Sequence, residues 1–215
     1  LNPSQRQYAE NLTVAGRSLL EIINQILDFS KIEAGKLELE KTPEDLIHLV
    51  QSTLDIVKLN AEKKNLELLL AIQPDIPRYA IVDPLRLKQI LVNLLGNAVK
   101  FTQSGEVELT LTCEIKEGNN GVFRFSIRDT GIGIDHEQQK KLFNAFTQAD
   151  SSVTRKYGGT GLGLMISNLL AKKMGSEIHV ESEKGKGSTF SFTIEAVCEL
   201  DDAPFKPDKP IRRAL

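Results

Sequence analysis

The sequence predicts a two-layer α+β domain set behind one long helix. Three observations carry that reading. Apolar residues recur at steps of four and three from Tyr8 to Phe29 with no proline between them. After residue 42, helix-type and strand-type patterns are interspersed. The strand patterns come mostly in pairs about turn residues, which suggests one sheet covered by helices on one face. The 215 residues are 40% hydrophobic and 26% charged, enough for one full domain and an extra element. A net charge of −2 offers no bulk attraction for nucleic acid or an acidic membrane surface. No apolar run approaches the ~20 residues of a membrane-spanning helix, and no signal-peptide pattern opens the chain. Cys113 and Cys198 lie far apart without metal-ligand spacing and read as reduced thiols of a cytosolic protein. His48, His136 and His179 are scattered, which argues against a metal cluster.

The long helix is expected from Pro3 to about Glu33. Its seam is Tyr8, Leu12, Ala15, Leu19, Ile22, Ile26 and Phe29, and Leu20, Ile23 and Leu27 widen the stripe. A stripe that wide needs more than one neighbour, as in a helical bundle. Gly35 ends the helix. Lys36–Lys41 alternates weakly as a short strand. Thr42 reads as an N-cap with Pro43 at the first helical position, opening a helix to about Lys63. Strands follow at Leu66–Ile72 and Tyr79–Val82. Asp83-Pro84 starts a helix that runs to Phe101. Strands at Glu106–Ile115 and Val122–Arg128 flank a Gly-Asn-Asn-Gly turn. Asp135 caps a short helix, with Gln138 as its box partner. A helix from Leu162 to Met174 precedes strands at Ile178–Ser182 and Ser188–Ala196. The Asp-, Pro- and Lys-rich tail reads as linker. The chain thus divides into residues 1–40, 41–198 and 199–215.

Three motifs carry candidate chemistry. In the first, Asn93, Asn97 and Lys100 share one face of a helix otherwise lined by Leu91, Leu94, Leu95 and Val99. Amide oxygens suit Mg²⁺ and lysine supplies a point charge to phosphate. Taken alone, the pattern fits an amphipathic helix with a polar edge equally well. In the second, Asp129 ends a strand and is followed by Gly131 and Gly133. The acid could accept a hydrogen bond from an exocyclic amine such as that of adenine, or the run is a plain strand-to-loop turn. In the third, Gly158, Gly159, Thr160, Gly161, Leu162 and Gly163 open a helix whose N-terminus favours an anion. Polar residues from Ser151 to Lys156 precede it and suit a closing lid or a flexible linker. Neither the dinucleotide fingerprint nor a Gly-Lys-Ser/Thr phosphate loop is present.

In this order and separation the motifs resemble the N, G1 and G2 boxes of the histidine kinase ATP-binding domain, which belongs to a wider family with gyrase, Hsp90 and MutL. Leu142–Phe146 resembles the kinase F box, Gly185–Phe190 the closing glycine-rich turn and strand, and Leu27–Leu37 the end of the second dimerisation helix of hybrid sensor kinases. The resemblance covers nearly the whole chain. It implies a Bergerat-type α/β sandwich preceded by a dimerisation helix, with ATP and Mg²⁺ as ligands. Asp129 would hold the adenine amine, with Gly131 and Gly133 beside the base and Thr189 near it through water. Asn97 would ligate Mg²⁺. Asn93 and Lys100 would face the phosphates as the catalytic pair, and Phe101 would pack near the base. Gly159, Thr160, Gly161, Leu162 and Gly163 would receive phosphate under the lid. Phe143 and Phe146 would anchor the lid or meet the dimerisation helices; core packing accounts for them equally well. Hydrolytic relatives in the wider family carry glutamate where this chain has Asn93. An amide cannot serve as that general base, so the reading favours phosphoryl transfer over hydrolysis.

The family's acceptor histidine is followed by an acid and an Arg-x-x-Pro turn, and no such string occurs here. The resemblance therefore implies a fragment of a cytosolic kinase region. Its partners would be the histidine-bearing first dimerisation helix and a receiver or response regulator domain, in a parent that is a homodimer and does not bind nucleic acid. The tail at Pro210–Arg213 resembles the approach to a receiver domain. Without its first helix the Tyr8–Phe29 stripe is expected to be exposed, in a monomer or a non-native dimer.

Overall fold

The computed structural model describes residues 2–143, 161–199 and 213–214. Helix α1 spans Pro3–Glu33, with Asn2 and Gln5 forming a reciprocal capping box at its start. It ends where expected: the N–H groups of Gly35 and Lys36 close back on the carbonyls of Ile32 and Lys31. Among the described residues, the last turns of α1 dock on the rest of the chain. Phe29 and Ile32 pack against the core, and Asp28 takes Arg86 at 3.2 Å and Gln89 at 2.8 Å.

The next segment departs from expectation. Residues 36–41 form no strand; within them the Glu40 N–H donates to the Asp83 carboxylate at 3.0 Å. Strand β1 is instead Thr42–Asp45, paired antiparallel with β3 (Tyr79–Val82). Thr42 is therefore not the helix cap. Asp45 is: its Oδ1 accepts the His48 N–H at 3.0 Å while Oδ2 takes Arg78 Nε at 2.7 Å. Pairing with β3 overrode the local Thr-Pro start signal, and Pro43 is tolerated because β1 lies at the end of the sheet. Helix α2 then runs Leu46–Glu62, β2 Glu67–Ile72 and α3 Pro84–Phe101 under the Asp83 cap. Strands β4 (Glu106–Ile115) and β5 (Asn120–Asp129) pair along their length, β5 starting two residues earlier than its apolar pattern suggests. Short α4 (His136–Gln139) is capped by Asp135. Helix α5 (Gly163–Lys173), β6 (His179–Glu183) and β7 (Gly187–Glu199) follow. In the tail, Arg213–Ala214 forms β8 on the free edge of β2, so this part is not linker.

The eight strands run β1-β3-β7-β5-β4-β2-β8, with β6 also paired to β7. Strand β2 is parallel to β4 and the other pairs are antiparallel. Alternation sorts the two faces. Val107, Leu109 and Leu111 of β4, Phe123, Phe125 and Ile127 of β5, and Phe190, Phe192 and Ile194 of β7 are buried. They meet Leu46, Val50 and Leu54 of α2, Leu87, Leu91 and Leu95 of α3, and Ile166 and Leu170 of α5. Phe125 and Phe192 stack with ring centroids 5.1 Å apart. The other face is polar, with Arg128 bridging Glu106 and Glu108. This is the expected two-layer α+β sandwich. Among the described residues, no helix is long and apolar enough to cross a membrane.

Candidate nucleotide site

Helix α3 carries the first group. Asn93, Asn97 and Lys100 sit half-buried along one face, between buried Leu94, Leu95 and Val99. Asn93 Nδ2 donates to Ser167 Oγ of α5 at 2.8 Å, and Ser167 is only 2% exposed. That bond fixes which way the amide points. Its Oδ1 lies against Gly163, where an added Cβ would sit 2.4 Å away. The start of α5 is thus pressed onto the asparagine face of α3. Lys100 Nζ lies 5.0 Å from the centroid of the Phe101 ring, and burial lowers its pKa.

Asp129 ends β5 on the helix-covered face, opposite buried Val107 and Ser188, and is 6% exposed. Burial pushes its carboxyl pKa up; backbone hydrogen bonds from Gly131 and Ser188 and the charge of Arg128 act the other way. The Gly131 N–H reaches Asp129 Oδ1 at 2.8 Å. A buried acid with part of its hydrogen-bonding capacity committed to backbone is set to recognise a ligand donor.

The loop after Asp129 is gripped from two sides. Toward α3, a Cβ at Gly131 would lie 2.7 Å from the Phe101 carbonyl oxygen. Toward β6, Gly133 has φ +62°, and a Cβ there would fall 2.0 Å from the Glu183 carbonyl oxygen. Only glycine allows that approach. The Ile134 N–H donates to Ser182 Oγ, and Gln139 Nε2 bridges the carbonyls of Ile134 and Ser182, each at 2.8 Å.

The structure moves one expected residue. Thr189 pairs with Arg128, whose guanidinium lies on the polar face with Glu106 and Glu108. Thr189 is therefore turned away from Asp129. Ser188 instead stands beside the acid: it pairs with Asp129, is buried, and its Oγ lies 2.9 Å from Ser182 Oγ. Strand period announces this, since Ser188 shares parity with Phe190 and Phe192.

In the third motif, Gly161 has φ +72° and Leu162 is buried as the cap residue of α5. The cap residue Leu162 makes no side-chain cap hydrogen bond and the first turn of α5 carries no acid, a helix N-terminus whose dipole favours an anion. Gly159, Thr160, Phe146 and the polar lid segment lie outside the described residues. Phe143 packs partly buried against the core. His48, His136 and His179 are all exposed and distant in sequence from one another. Cys113 and Cys198 are buried free thiols that the fold brings together beside Gly121, and burial raises the Cys113 pKa to about 12.

A helix face of amides and lysine, a buried strand-end acid and a glycine-opened helix, converging on one side of an α/β sandwich, define a nucleotide-binding domain. Residues 82–197 match the family described as histidine kinase-, DNA gyrase B- and HSP90-like ATPase. The chain belongs to that family, in the form found as the catalytic domain of sensor histidine kinases. It is 46% identical over 211 residues to sensor histidine kinase GacS of Pseudomonas protegens, covering 98% of this chain and 23% of that protein. It is 42% identical over 194 residues to hybrid signal transduction histidine kinase B of Dictyostelium discoideum, covering 90% of this chain and 10% of that protein. The chain thus spans less than a quarter of these relatives. Full-length ShkA crystallised with AMPPNP superposes with a TM-score of 0.78 at 34% identity, over 93% of this chain and 40% of that one.

Proposed function

We propose that this chain binds Mg²⁺-ATP and presents the γ-phosphate to a histidine that lies outside its 215 residues. The carrying observation is the buried Asp129 carboxylate, joined through the Gly131 loop to the end of the helix bearing Asn93, Asn97 and Lys100. Asp129 accepts the adenine amine; Gly131 and Gly133 let the backbone approach the base, and Phe101 packs beside it. Ser188, rather than Thr189, stands next to the acid. Lys100 meets phosphate as a point charge, and the Gly159–Gly163 backbone with the start of α5 receives the phosphate chain. Asn93 and Asn97 fit a Mg²⁺ ion, since each offers a hard amide oxygen and the Asn93 amide is already oriented by Ser167. The ion would neutralise phosphate charge; the chain's residues position the nucleotide. Because Asn93 is not a base, water is poorly activated and transfer is favoured over hydrolysis.

The wider setting follows the relatives. The exposed stripe of α1, with Tyr8 69% and Leu12 74% exposed, pairs with the histidine-bearing helix in a homodimeric parent in the cytosol. A receiver or response regulator domain then takes the phosphoryl group, and a hybrid parent fits the tail. Calorimetric titration of ATP with and without Mg²⁺, beside Asp129→Asn, tests the pocket. Loss of binding in the variant is expected. A Mg²⁺-dependent gain that disappears in Asn97→Ala supports the metal role. An acceptor-helix fragment should then gain acid-labile phosphohistidine; a folded sample that binds no ATP overturns the proposal.

A further inference from the structure

The C-terminus of α3 must satisfy the four carbonyls that have no partner within the helix, those of Val99, Lys100, Phe101 and Thr102. Lys64, in the turn between α2 and β2, takes three of them: its Nζ donates to Val99 O at 2.7 Å, Lys100 O at 2.7 Å and Thr102 O at 3.1 Å. The fourth, Phe101 O, receives the Ile132 N–H from the loop beyond Asp129 at 3.4 Å. An ammonium has three donors, and all three are used. The negative end of the helix dipole adds to the attraction. Lys64 itself is anchored through its backbone, whose N–H closes on Ala61 O at 3.0 Å.

The turn so fixed is the one that carries Lys100 and Phe101, and its Phe101 carbonyl is the surface against which Gly131 packs. We propose that Lys64 is a positioning residue for ATP binding: it holds the last turn of α3 so that Lys100 and the Asp129 loop share one fixed geometry. The inference rests on the nucleotide reading above. Without Lys64, carbonyls at a partly buried helix end lose their donors and the turn is free to fray. The consequence falls on both halves of the pocket, because the phosphate lysine and the support of the adenine loop leave position together.

The test is calorimetric ATP binding to folded parent, Lys64→Met, Lys64→Arg, Lys63→Met and Asp129→Asn, with hydrogen exchange at the Ile132 amide. Lys64→Met is expected to weaken ATP about tenfold and speed exchange at Ile132. Lys64→Arg, which keeps a charged multiple donor, should restore most of the affinity. The exposed neighbour change Lys63→Met should do nothing. If Lys64→Met does not fold, Lys64→Gln, with at most two donors, is read in its place. ATP affinity equal to the parent in folded Lys64→Met, or in folded Lys64→Gln where that is read instead, whatever the melting temperature, overturns the inference while Asp129→Asn still abolishes binding. Parent-like affinity in Asp129→Asn instead overturns the nucleotide reading itself.

Discussion

Replacing Gly163 with alanine sets a methyl carbon 2.4 Å from Asn93 Oδ1. The backbone accepts alanine, since Gly163 lies outside the left-handed region. The obstacle is the amide, which cannot turn away without breaking the 2.8 Å bond from Nδ2 to Ser167 Oγ. That bond is worth about 1 kcal/mol net, and a buried hydroxyl left unmatched costs about 1–3 kcal/mol. Alanine's helix propensity returns at most ~1 kcal/mol. With the full ~1 kcal/mol returned, a net loss of about 1–3 kcal/mol follows, which for a chain of this length lowers Tm by roughly 2–12 °C. In an Asn93→Ala background the obstacle is gone, so the same change should cost nothing or stabilise slightly. Thermal melts of the four proteins give the coupling energy directly. An equal fall in Tm in both backgrounds refutes the claim that α5 is seated on Asn93.

Three further outcomes are expected. Ser188→Ala should weaken ATP binding about fivefold, the loss of roughly one hydrogen bond, while Thr189→Ala stays within about twofold; the reverse order in calorimetry sinks the reassignment. Asn93→Glu supplies a carboxylate base and should raise steady-state phosphate release at least about tenfold, read with a phosphate sensor; unchanged release places the general base elsewhere. Burial raises the Asp129 pKa above its ordinary 3.8, so the folded state holds that proton to higher pH than the unfolded state. Its contribution is then fully present below pH 3.8 and is lost as pH rises through the raised value. Urea melts should show ligand-free Asp129→Asn gaining on the parent across that interval, and a constant difference contradicts the sign.

Most of the fold was legible because its signals were local and agreed with one another. Asp83-Pro84 opened α3, Asp135 capped α4, and alternating runs marked β4, β5 and β7. The misreadings lie where a long-range partner decides. Thr42-Pro43 carries a valid helix start signal, yet pairing with β3 and the grip of Arg78 on Asp45 moved the cap three residues on. The weak alternation at Lys36–Lys41 met a carboxylate instead of a neighbouring strand. The two residues of β8 pair with β2, about two thirds of the chain away in sequence, and carry no local pattern of their own.

The site divides along the same line. The placement of Asn93, Asn97, Lys100 and Asp129 on the helix-covered side was readable because each sits in a short motif whose period fixes its face. What joins the motifs was not. Ser167 reads in sequence as an unremarkable serine on an apolar helix, yet it fixes the amide of Asn93. Lys64 reads as one lysine in a charged turn, yet it takes three carbonyls at the end of α3. Both act across more than thirty residues of chain, beyond the reach of any local pattern. The glycines express the same division: their presence near the site is plain in sequence, but the partner each one admits is not. Gly163 admits Asn93, Gly131 admits the Phe101 carbonyl, and Gly133 admits that of Glu183. The start of α5 therefore rests on the middle of α3, while the loop after Asp129 joins the end of α3 to the end of β6, so a displacement of α5 acts first on Asn93. On the nucleotide reading proposed above, a ligand that drew the start of α5 toward itself would in the same movement shift the Asn93 amide held by Ser167.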